Sequence, residues 1–324
     1  MLVSTCWLSH LQHDWRSPVW RHFLDDLGRI ATVIRYDERG HGLSDRDIDD
    51  HRLKARVDDL VAVAEAAGYE RFALMAMAQG GPAAISYAAA HPETVTRMVF
   101  YNTFADAYPV RTPETEALEH TLEQLIRVGW DRAQSEFRRV FSSMMIPGGG
   151  DEQLRWIDDL LRASASRDVA IAARRQWNTT ETSHLLSALS MPAIVLHSRG
   201  DRMVEFEHGR LLASALRHAR LVALESDNHI VLGDEPAWQV IIEEITAFLD
   251  ADRSTDQRSG AVADLSARER EILELAATGL SNADIAARTF VSVRTVERHL
   301  QNAYTKLGVS GKAARAAAVA KLLQ

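Results

Sequence analysis

Residues 72–81 combine a pattern that presents a catalytic nucleophile with a residue that cannot act as one. The apolar run Phe72-Ala-Leu-Met-Ala-Met77 leads into the small-residue turn Ala78-Gln-Gly-Gly81, and a helix is predicted over Pro82–His91. A strand, a sharp turn and a helix in this order form a nucleophile elbow, usually written G-x-S-x-G. Ala78 occupies the serine position. The scaffold for covalent catalysis is therefore predicted without its attacking oxygen.

The segments around this turn alternate between β-type and helical patterns. Strands are predicted at Leu2–Thr5, Ile30–Arg35, Phe72–Met77, Arg97–Tyr101, Ala193–His197 and Arg220–Leu224, and helices at Asp58–Ala67, Pro82–Ala90 and Ala237–Leu249. This alternation predicts an α/β fold with a parallel sheet that is covered on both faces.

The strand signal disappears over residues 106–191. Helices are predicted there at Glu114–Val128, Arg132–Ser142, Glu152–Ala163 and Val169–Trp177. An insertion of this length is too long for a loop. We interpret it as a helical cap over the carboxyl edge of the sheet, where open α/β sheets bind ligands. The alternative is a further helical layer.

Four separated motifs resemble the α/β-hydrolase family, and the resemblance extends from Leu2 to about Leu249. They are Tyr36-Asp-Glu-Arg-Gly-His-Gly-Leu-Ser44, the elbow Ala76–Gly80, His197-Ser-Arg-Gly-Asp201 and Asp227-Asn-His229. The family's order of nucleophile, acid and histidine is preserved. The resemblance implies that Ala78 marks the nucleophile position, His229 the general base and Asp201 the acid that orients the histidine.

The same resemblance suggests which residues would contact a ligand. The N–H of Gln79 would be one oxyanion donor, and a second would come from the loop after the first strand, near Trp7. His10 either lines the pocket or only closes that loop. The predicted cap contributes large apolar side chains, of which Trp130, Phe141, Met145 and Trp177 are our candidates.

Two explanations of Ala78 remain open from the sequence. The alanine is natural and the chain only binds its ligand, as a pseudo-enzyme, or it is an engineered replacement of serine that stops turnover. A third hypothesis needs no serine, because a His229–Asp201 pair could act as a general base on a bound acidic substrate.

A polar stretch at residues 251–263 predicts a linker between a domain at 1–250 and a second at 264–324. In the second domain Ser266 and Glu269 form a predicted capping box. Ser281 precedes a helix over Asn282–Thr289, and Ser292 precedes another that starts at Val293. Two short helices joined by a tight turn predict a helix-turn-helix.

The motifs Leu280-Ser-Asn-Ala-Asp-Ile-Ala-Ala-Arg288 and Val291-Ser-Val-Arg-Thr-Val-Glu-Arg-His299 resemble the LuxR-type DNA-binding domain. The resemblance implies that the helix from Val293 enters the major groove. Glu297, Arg298 and Gln301 would then face bases. Ser292, Thr295, His299 and Lys306 would contact phosphates or hold the helix in register.

Charge and composition agree with this division. The net charge is −8, but residues 264–324 carry nine Lys/Arg and six Asp/Glu, so the rest of the chain is strongly acidic. A basic tail can approach a polyanion. The single cysteine, Cys6, and the lack of a membrane-spanning apolar run favour the cytoplasm. We expect neither a metal nor another cofactor.

These patterns predict a ligand-responsive, DNA-binding transcription regulator that senses a small, mostly apolar molecule. The alternative is a serine hydrolase fused to a DNA-binding domain and inactivated at Ala78. A homodimer on a pseudo-palindromic operator is expected. It would pair through an alanine-rich helix over Gly311–Leu323, at Ala313, Ala314, Ala316, Ala317 and Ala320.

Overall fold

The computed structural model describes residues 1–4, 8–108, 112–133, 136–263, 265–311 and 314–323, without the side chains of residues 251–263, 320 and 323. The chain divides into two compact units, Met1–Thr246 and Ala247–Gln324. Within the described part of the chain, no helix is both long and apolar enough to span a bilayer.

Five strands form one parallel sheet in the described part of the first unit. They are β1 (Leu2–Ser4), β2 (Phe72–Met77), β3 (Val95–Tyr101), β4 (Ala193–Ser198) and β5 (Ala219–Leu224), and they lie side by side in that order. Leu2 pairs with Leu74, and Leu74 pairs with Met98. All three side chains are fully buried, as expected for parallel strands that are covered on both faces. The predicted α/β class is confirmed.

Helices alternate with these strands or are inserted between them, and the last of these helices continues beyond Thr246. In chain order they are α1 (Leu11–Asp14), α2 (Arg21–Ile30), α3 (Leu53–Ala67), α4 (Gly81–Ala90), α5 (Pro113–Gly129), α6 (Glu136–Met145), α7 (Asp151–Ser164), α8 (Arg167–Asn178), α9 (Phe206–Ala215) and α10 (Pro236–Ala263). The four helices predicted between β3 and β4 are therefore present as α5–α8.

One predicted strand was wrong, and the segment predicted as a linker is helical. Ile30 ends α2 instead of starting a strand, and in the segment 30–35 only Ile34 pairs with the sheet, through an isolated bridge to Leu2. Apolar β-branched residues can also close an amphipathic helix, so the pattern was ambiguous. Residues 251–263, predicted as a linker, continue α10. Polar residues are compatible with a helix, and Gly260 alone costs it only about 1 kcal/mol.

The second unit contains a small helical core. It consists of α11 (Ala267–Ala277), α12 (Asn282–Thr289), α13 (Val293–Lys306) and α14 (Ala314–Leu323). Ile272, Ile285 and Val296 are fully buried at its centre. The capping box of Ser266 and Glu269 is confirmed. Ala314 was expected at a dimer surface, but it is buried within this core, because the face of α14 that carries Ala314 and Ala318 packs inward.

A buried arginine ties the helices α5, α6 and α7 together. Arg138 is 2% exposed. Its guanidinium donates to backbone carbonyls of Gly129, Trp130, Arg132, Ala133 and Asp158 at 2.6–3.2 Å. These carbonyls would lose a charged donor if the side chain were replaced by an apolar one.

We predict that Arg138→Met lowers the free energy of unfolding by at least about 3 kcal/mol, because it leaves buried acceptors unsatisfied. The matched control is Arg139→Met. Arg139 is partly exposed and pairs with Asp158, so its loss should cost less than about 1 kcal/mol. Urea unfolding followed by circular dichroism measures both. Equal effects of the two substitutions would contradict this assignment.

Candidate functional site

The predicted nucleophile elbow is present, and its backbone is strained at Ala78. β2 ends at Met77, the turn Ala78–Gly80 follows, and α4 begins at Gly81. Ala78 has a φ of +44°. This left-handed conformation costs a non-glycine residue about 1–2 kcal/mol. It turns the chain sharply, so that residue 78 lies just beyond the carboxyl end of a central strand.

Three side chains from distant segments hold the carbonyls of the elbow. The Thr103 hydroxyl donates to the Ala78 carbonyl. Ser4 donates to the Gly80 carbonyl at 3.0 Å, and the buried Arg56 donates to the Gln79 carbonyl at 2.9 Å. A trans peptide directs its N–H opposite to its C=O. The Thr103 bond therefore fixes the direction of the Gln79 N–H, the candidate oxyanion donor.

Gly81 allows this close approach. A Cβ atom at Gly81 would lie 2.3 Å from both the Thr103 hydroxyl and the Phe104 carbonyl. A glycine is thus required at position 81, because the segment that follows β3 leaves no space for a side chain there. Thr103 had no signal in the sequence, because its partner lies 25 residues away in the chain.

Asp201 and His229 are brought together as the family resemblance implied. His229 Nδ1 lies 2.7 Å from Asp201 Oδ2. The other carboxylate oxygen of Asp201 accepts from the N–H groups of Met203 and Val204 at 2.8 and 3.0 Å. Asp201 therefore orients the histidine and caps its own turn at once. This arrangement leaves Nε2 as the nitrogen available to a bound group.

The backbone of His229 is anchored on two sides. Its carbonyl accepts from Asn102 Nδ2 at 2.7 Å and from the Tyr101 hydroxyl at 3.1 Å. Its N–H donates to the carbonyl of Met145 at 2.8 Å, and the N–H of Ile230 reaches the same carbonyl at 3.2 Å. Met145 is the last residue of α6, so the helical insertion and the His229 loop share a hydrogen-bonded contact.

An apolar cavity lies beside Ala78 and His229. Its walls are Leu8, Trp20, Met77, Ala78, Gln79, Tyr101, Met145, Ile157, Leu160, Leu161, Met203, His229 and Ile230. Its volume is about 20 Å³, which is room for about one water molecule. A larger molecule can enter only if part of this wall moves.

A second, polar cavity adjoins the first at Gln79 and Met203. Its volume is about 260 Å³, and Phe141, Trp177 and Arg202 are among its lining residues. It lies between α5, α6 and α8 on one side and the segment from Arg202 to His208 on the other. Burial lowers the pKa of His208, so this imidazole is neutral at pH 7.

The candidate ligand residues are distributed unevenly between these cavities. Met145 lines the apolar cavity, Phe141 and Trp177 line the polar one, and Gln79 lines both. Trp130 is a core residue instead, since its indole N–H donates to the Ala165 carbonyl at 2.9 Å and its ring packs edge-on against Phe141. His10 caps α1 by accepting from the His13 N–H. Trp7 lies outside the described residues.

The loop after β1 rests on two buried carboxylates. Asp37 accepts from the Ser9 hydroxyl at 2.6 Å and from the N–H groups of Leu11 and Leu43. Asp14 lies beside Arg35. Burial nevertheless raises the pKa of Asp14 to about 6.

In the described residues, no group of three or more His, Cys, Asp or Glu side chains is arranged to hold a metal ion.

The helix α13 presents the predicted DNA-reading residues on one exposed face. Glu297, Arg298 and Gln301 are exposed, while Val296 and Leu300 are buried. Ser292 caps the helix by accepting from the Thr295 N–H, and the Ser292 hydroxyl lies 2.8 Å from that of Thr295. Both residues therefore shape the start of this helix.

Two further candidates have different surroundings. His299 is partly buried, and its Nδ1 has no hydrogen-bond partner in the described part of the chain. Lys306 donates to the buried carboxylate of Glu269 at 2.7 Å, which ties α13 to α11. Arg294, in the first turn of α13, is also an exposed cation and was not among the predicted residues.

The raised pKa of Asp14 predicts a pH dependence of stability. The folded state binds this proton more tightly than the unfolded state, whose carboxyl titrates near pH 4. The associated stability is therefore present below about pH 4 and is lost as the pH rises through about 6. We expect the difference in unfolding free energy between the parent and Asp14→Asn to fall by on the order of 2–3 kcal/mol from pH 4 to pH 7.

Urea unfolding at several pH values measures this difference. The control is Asp25→Asn, because Asp25 is a partly exposed residue on α2 whose pKa is lowered by a hydrogen bond from Arg21. That substitution should give a difference that is flat between pH 4 and pH 7. A flat difference for Asp14→Asn as well would show that Asp14 is not buried in this way.

Two family models match the chain. The family described as "alpha/beta hydrolase fold" matches residues 13–236, and GerE, "Bacterial regulatory proteins, luxR family", matches residues 263–319. A 2-hydroxymuconate semialdehyde hydrolase from a Pseudomonas species is 26% identical over 211 residues, which are 62% of this chain and 71% of that protein.

A regulator and a solved structure resemble the two parts separately. The "Probable transcriptional regulatory protein SgaR" of Hyphomicrobium methylovorum is 57% identical over 49 residues, which are 15% of this chain and 23% of that protein. The crystal structure of a hydrolase from Pseudomonas aeruginosa PA01 has a TM-score of 0.64 at 22% identity, over 76% of this chain and 88% of that one. This chain belongs to the α/β-hydrolase fold family and carries a C-terminal regulatory domain of the LuxR family.

Proposed function

We propose that this chain is a transcription regulator that binds DNA through α13 and senses a small, mostly apolar molecule in its hydrolase-fold unit. The observation that carries the proposal is the pairing of His229 with Asp201 at 2.7 Å beside an alanine at the nucleophile position. A LuxR-family domain follows in the same chain. A site of this kind can hold a ligand in the geometry of catalysis without consuming it.

The contacts of the ligand follow from the cavity beside Ala78. Apolar side chains of Ile157, Leu160 and Leu161 would cover its carbon skeleton. A carbonyl oxygen would accept from the Gln79 N–H, and a hydroxyl or acceptor group would meet Nε2 of His229. Because the cavity holds only about one water molecule, we propose that binding shifts α6 and α7, which contribute Met145, Leu160 and Leu161 to its wall, and the polar cavity offers adjacent space.

Such a shift can act as a switch only if the ligand prefers one arrangement of the protein. Equal affinity for both arrangements would leave DNA binding unchanged, however tight the binding. The carbonyl of Met145 accepts hydrogen bonds from the N–H groups of His229 and Ile230. Displacement of α6 by a ligand would therefore also disturb the His229 loop.

On the DNA side we propose that Glu297, Arg298 and Gln301 read bases and that Arg294 contacts a phosphate. A homodimer on a pseudo-palindromic operator remains part of the proposal. The exposed Ala316 and the half-buried Ala317 of α14 are available for pairing, whereas Ala314 and Ala318 are not. A regulator that acts on DNA would work in the cytoplasm.

Ligand control can be tested with a cavity-filling substitution. DNA sites are selected from a random library with the full-length protein, and small molecules are extracted from the purified chain. We expect the extract to change the Kd for a selected site at least about tenfold, since a useful switch needs more than about 1.4 kcal/mol. Leu160→Phe, whose larger side chain takes up the space in the cavity, should bind the DNA but ignore the extract.

The matched control for that experiment is Leu43→Phe. Leu43 is 61% exposed and lies outside the cavity wall, so this variant should respond like the parent. A parent protein whose Kd is the same with and without saturating extract would contradict ligand control.

The alternative function is a serine hydrolase whose nucleophile has been replaced. The left-handed backbone at Ala78 and the intact His229–Asp201 pair favour it. On this hypothesis Ala78→Ser should restore ester hydrolysis, since loss of the nucleophile costs such enzymes on the order of a millionfold in turnover.

A panel of p-nitrophenyl esters measures that gain. The double variant Ala78→Ser/His229→Ala should be inactive, because the serine would then lack its base. An Ala78→Ser variant that is folded but inactive would contradict the hydrolase hypothesis and would support the ligand-sensing regulator.

A further inference from the structure

The most exposed large apolar side chain in the described residues lies in the turn of the helix-turn-helix. Phe290 is 94% exposed, and it has a φ of +55°. A left-handed conformation is unfavourable for a bulky residue, and an exposed aromatic ring forgoes the stabilisation of burial. Among the described residues of the second unit, the hydrophobic core does not include Phe290.

Two other helices of this unit are followed, one residue after the C-cap, by a glycine in the left-handed conformation. Gly279 follows α11 with a φ of +85°, and Gly308 follows α13 with a φ of +62°. Glycine adopts this conformation without steric cost and commonly ends helices. The phenylalanine after α12 is therefore an exception within one small unit, and its ring requires a separate explanation.

The turn that carries Phe290 is rigid. The N–H groups of Phe290 and Val291 both bond the Ala286 carbonyl. Arg268 donates to the Thr289 carbonyl at 2.6 Å. Val291 packs against the core of the unit while Phe290 points to solvent. The ring is thus presented from a fixed backbone.

Phe290 is close in the chain to exposed residues that we assign to DNA. Phe290 lies two residues before Ser292, the N-cap of α13, and Val293 in the first turn is 42% exposed. The exposed cations Arg288, Arg294 and Arg298 lie on the same segment, together with the exposed carboxylate of Glu297. The exposed apolar residues Phe290 and Val293 are therefore close in sequence to the residues that we assign to DNA.

We propose that Phe290 is a further specificity-determining residue, whose ring makes an apolar contact with a thymine methyl group in the major groove. Thymine is the base that presents a methyl group there, and phenylalanine is one of the side chains that contact it. This inference rests on the proposed DNA-binding function. Phe290 in the turn would then recognise a base in addition to Glu297, Arg298 and Gln301.

The test uses DNA sites selected by the full-length parent and by Phe290→Asn. Asparagine tolerates the left-handed backbone, so Phe290→Asn should unfold at the temperature of the parent or above it. We expect the variant to lose a thymine preference at one position of each half-site. Its Kd for the parent's site should rise at least about fivefold, as for the loss of one base pair's recognition.

A chemical change in the DNA isolates the methyl group. Deoxyuridine in place of that thymidine removes only the methyl. The parent should lose several-fold in affinity on this change, whereas Phe290→Asn should bind both DNAs equally. Tyr69→Asn, at an aromatic residue that is 51% exposed in the first unit, should behave as the parent does.

Salt dependence separates this contact from a phosphate contact. Phe290→Asn should leave the slope of log Kd against log salt unchanged, while Arg294→Gln should reduce it by about one.

Three results would overturn the inference. One is the same selected sequence and the same response to deoxyuridine in parent and Phe290→Asn. Another is unchanged DNA binding with reduced transcription from the site, which would assign the ring to a protein partner. A parent that selects no sequence at all would instead remove the proposed function on which the inference rests.

Discussion

The site depends on one backbone constraint, the left-handed conformation of Ala78. This residue turns the chain from β2 into α4 within a few residues, and so lies at the carboxyl edge of the sheet. The conformation is held from outside the turn, by Thr103 on the Ala78 carbonyl, Arg56 on the Gln79 carbonyl and Ser4 on the Gly80 carbonyl. The strain is therefore balanced by hydrogen bonds from segments far apart in the chain. The direction of the Gln79 N–H, and with it the polar end of the cavity, follows from the same bonds.

A second set of bonds joins the helical insertion to the His229 loop and to the start of α10. The Met145 carbonyl accepts from His229 and Ile230, and the Gly148 N–H donates to Asn228 Oδ1 at 2.9 Å. Asn228 in turn donates to Glu235 at 2.7 Å, just before Pro236 begins α10. The apolar cavity is small, so these bonds between the helical insertion and the His229 loop bear on how a ligand enters. A molecule that opens the cavity by displacing Met145 would move a group that is bonded to the loop of His229.

Motifs that are local in sequence were predicted well, and features that join distant segments were not. The elbow, the acid after β4 and the histidine after β5 each have a short signature that depends on one turn or loop. The capping box at Ser266 depends on residues three apart. By contrast, the bond from Thr103 to Ala78 and the pair of Lys306 with Glu269 span 25 and 37 residues. Trp130 and Phe141 have the same apolar signature, yet Trp130 packs in the core and Phe141 lines a cavity, because packing between helices assigns their faces.

The sequence by itself determined the α/β class, the missing nucleophile and the helix-turn-helix, since periodic burial and capping residues act over a few neighbouring positions. Tertiary structure decided the rest. It placed one oxygen of Asp201 on His229 and the other on its own turn, closed the apolar cavity to about 20 Å³, and took Ala314 into the core. It also left the ring of Phe290 in solvent, on a backbone conformation that glycine adopts elsewhere in the same unit. Each of these outcomes depends on which segments pack against each other, and residue order alone does not contain that geometry.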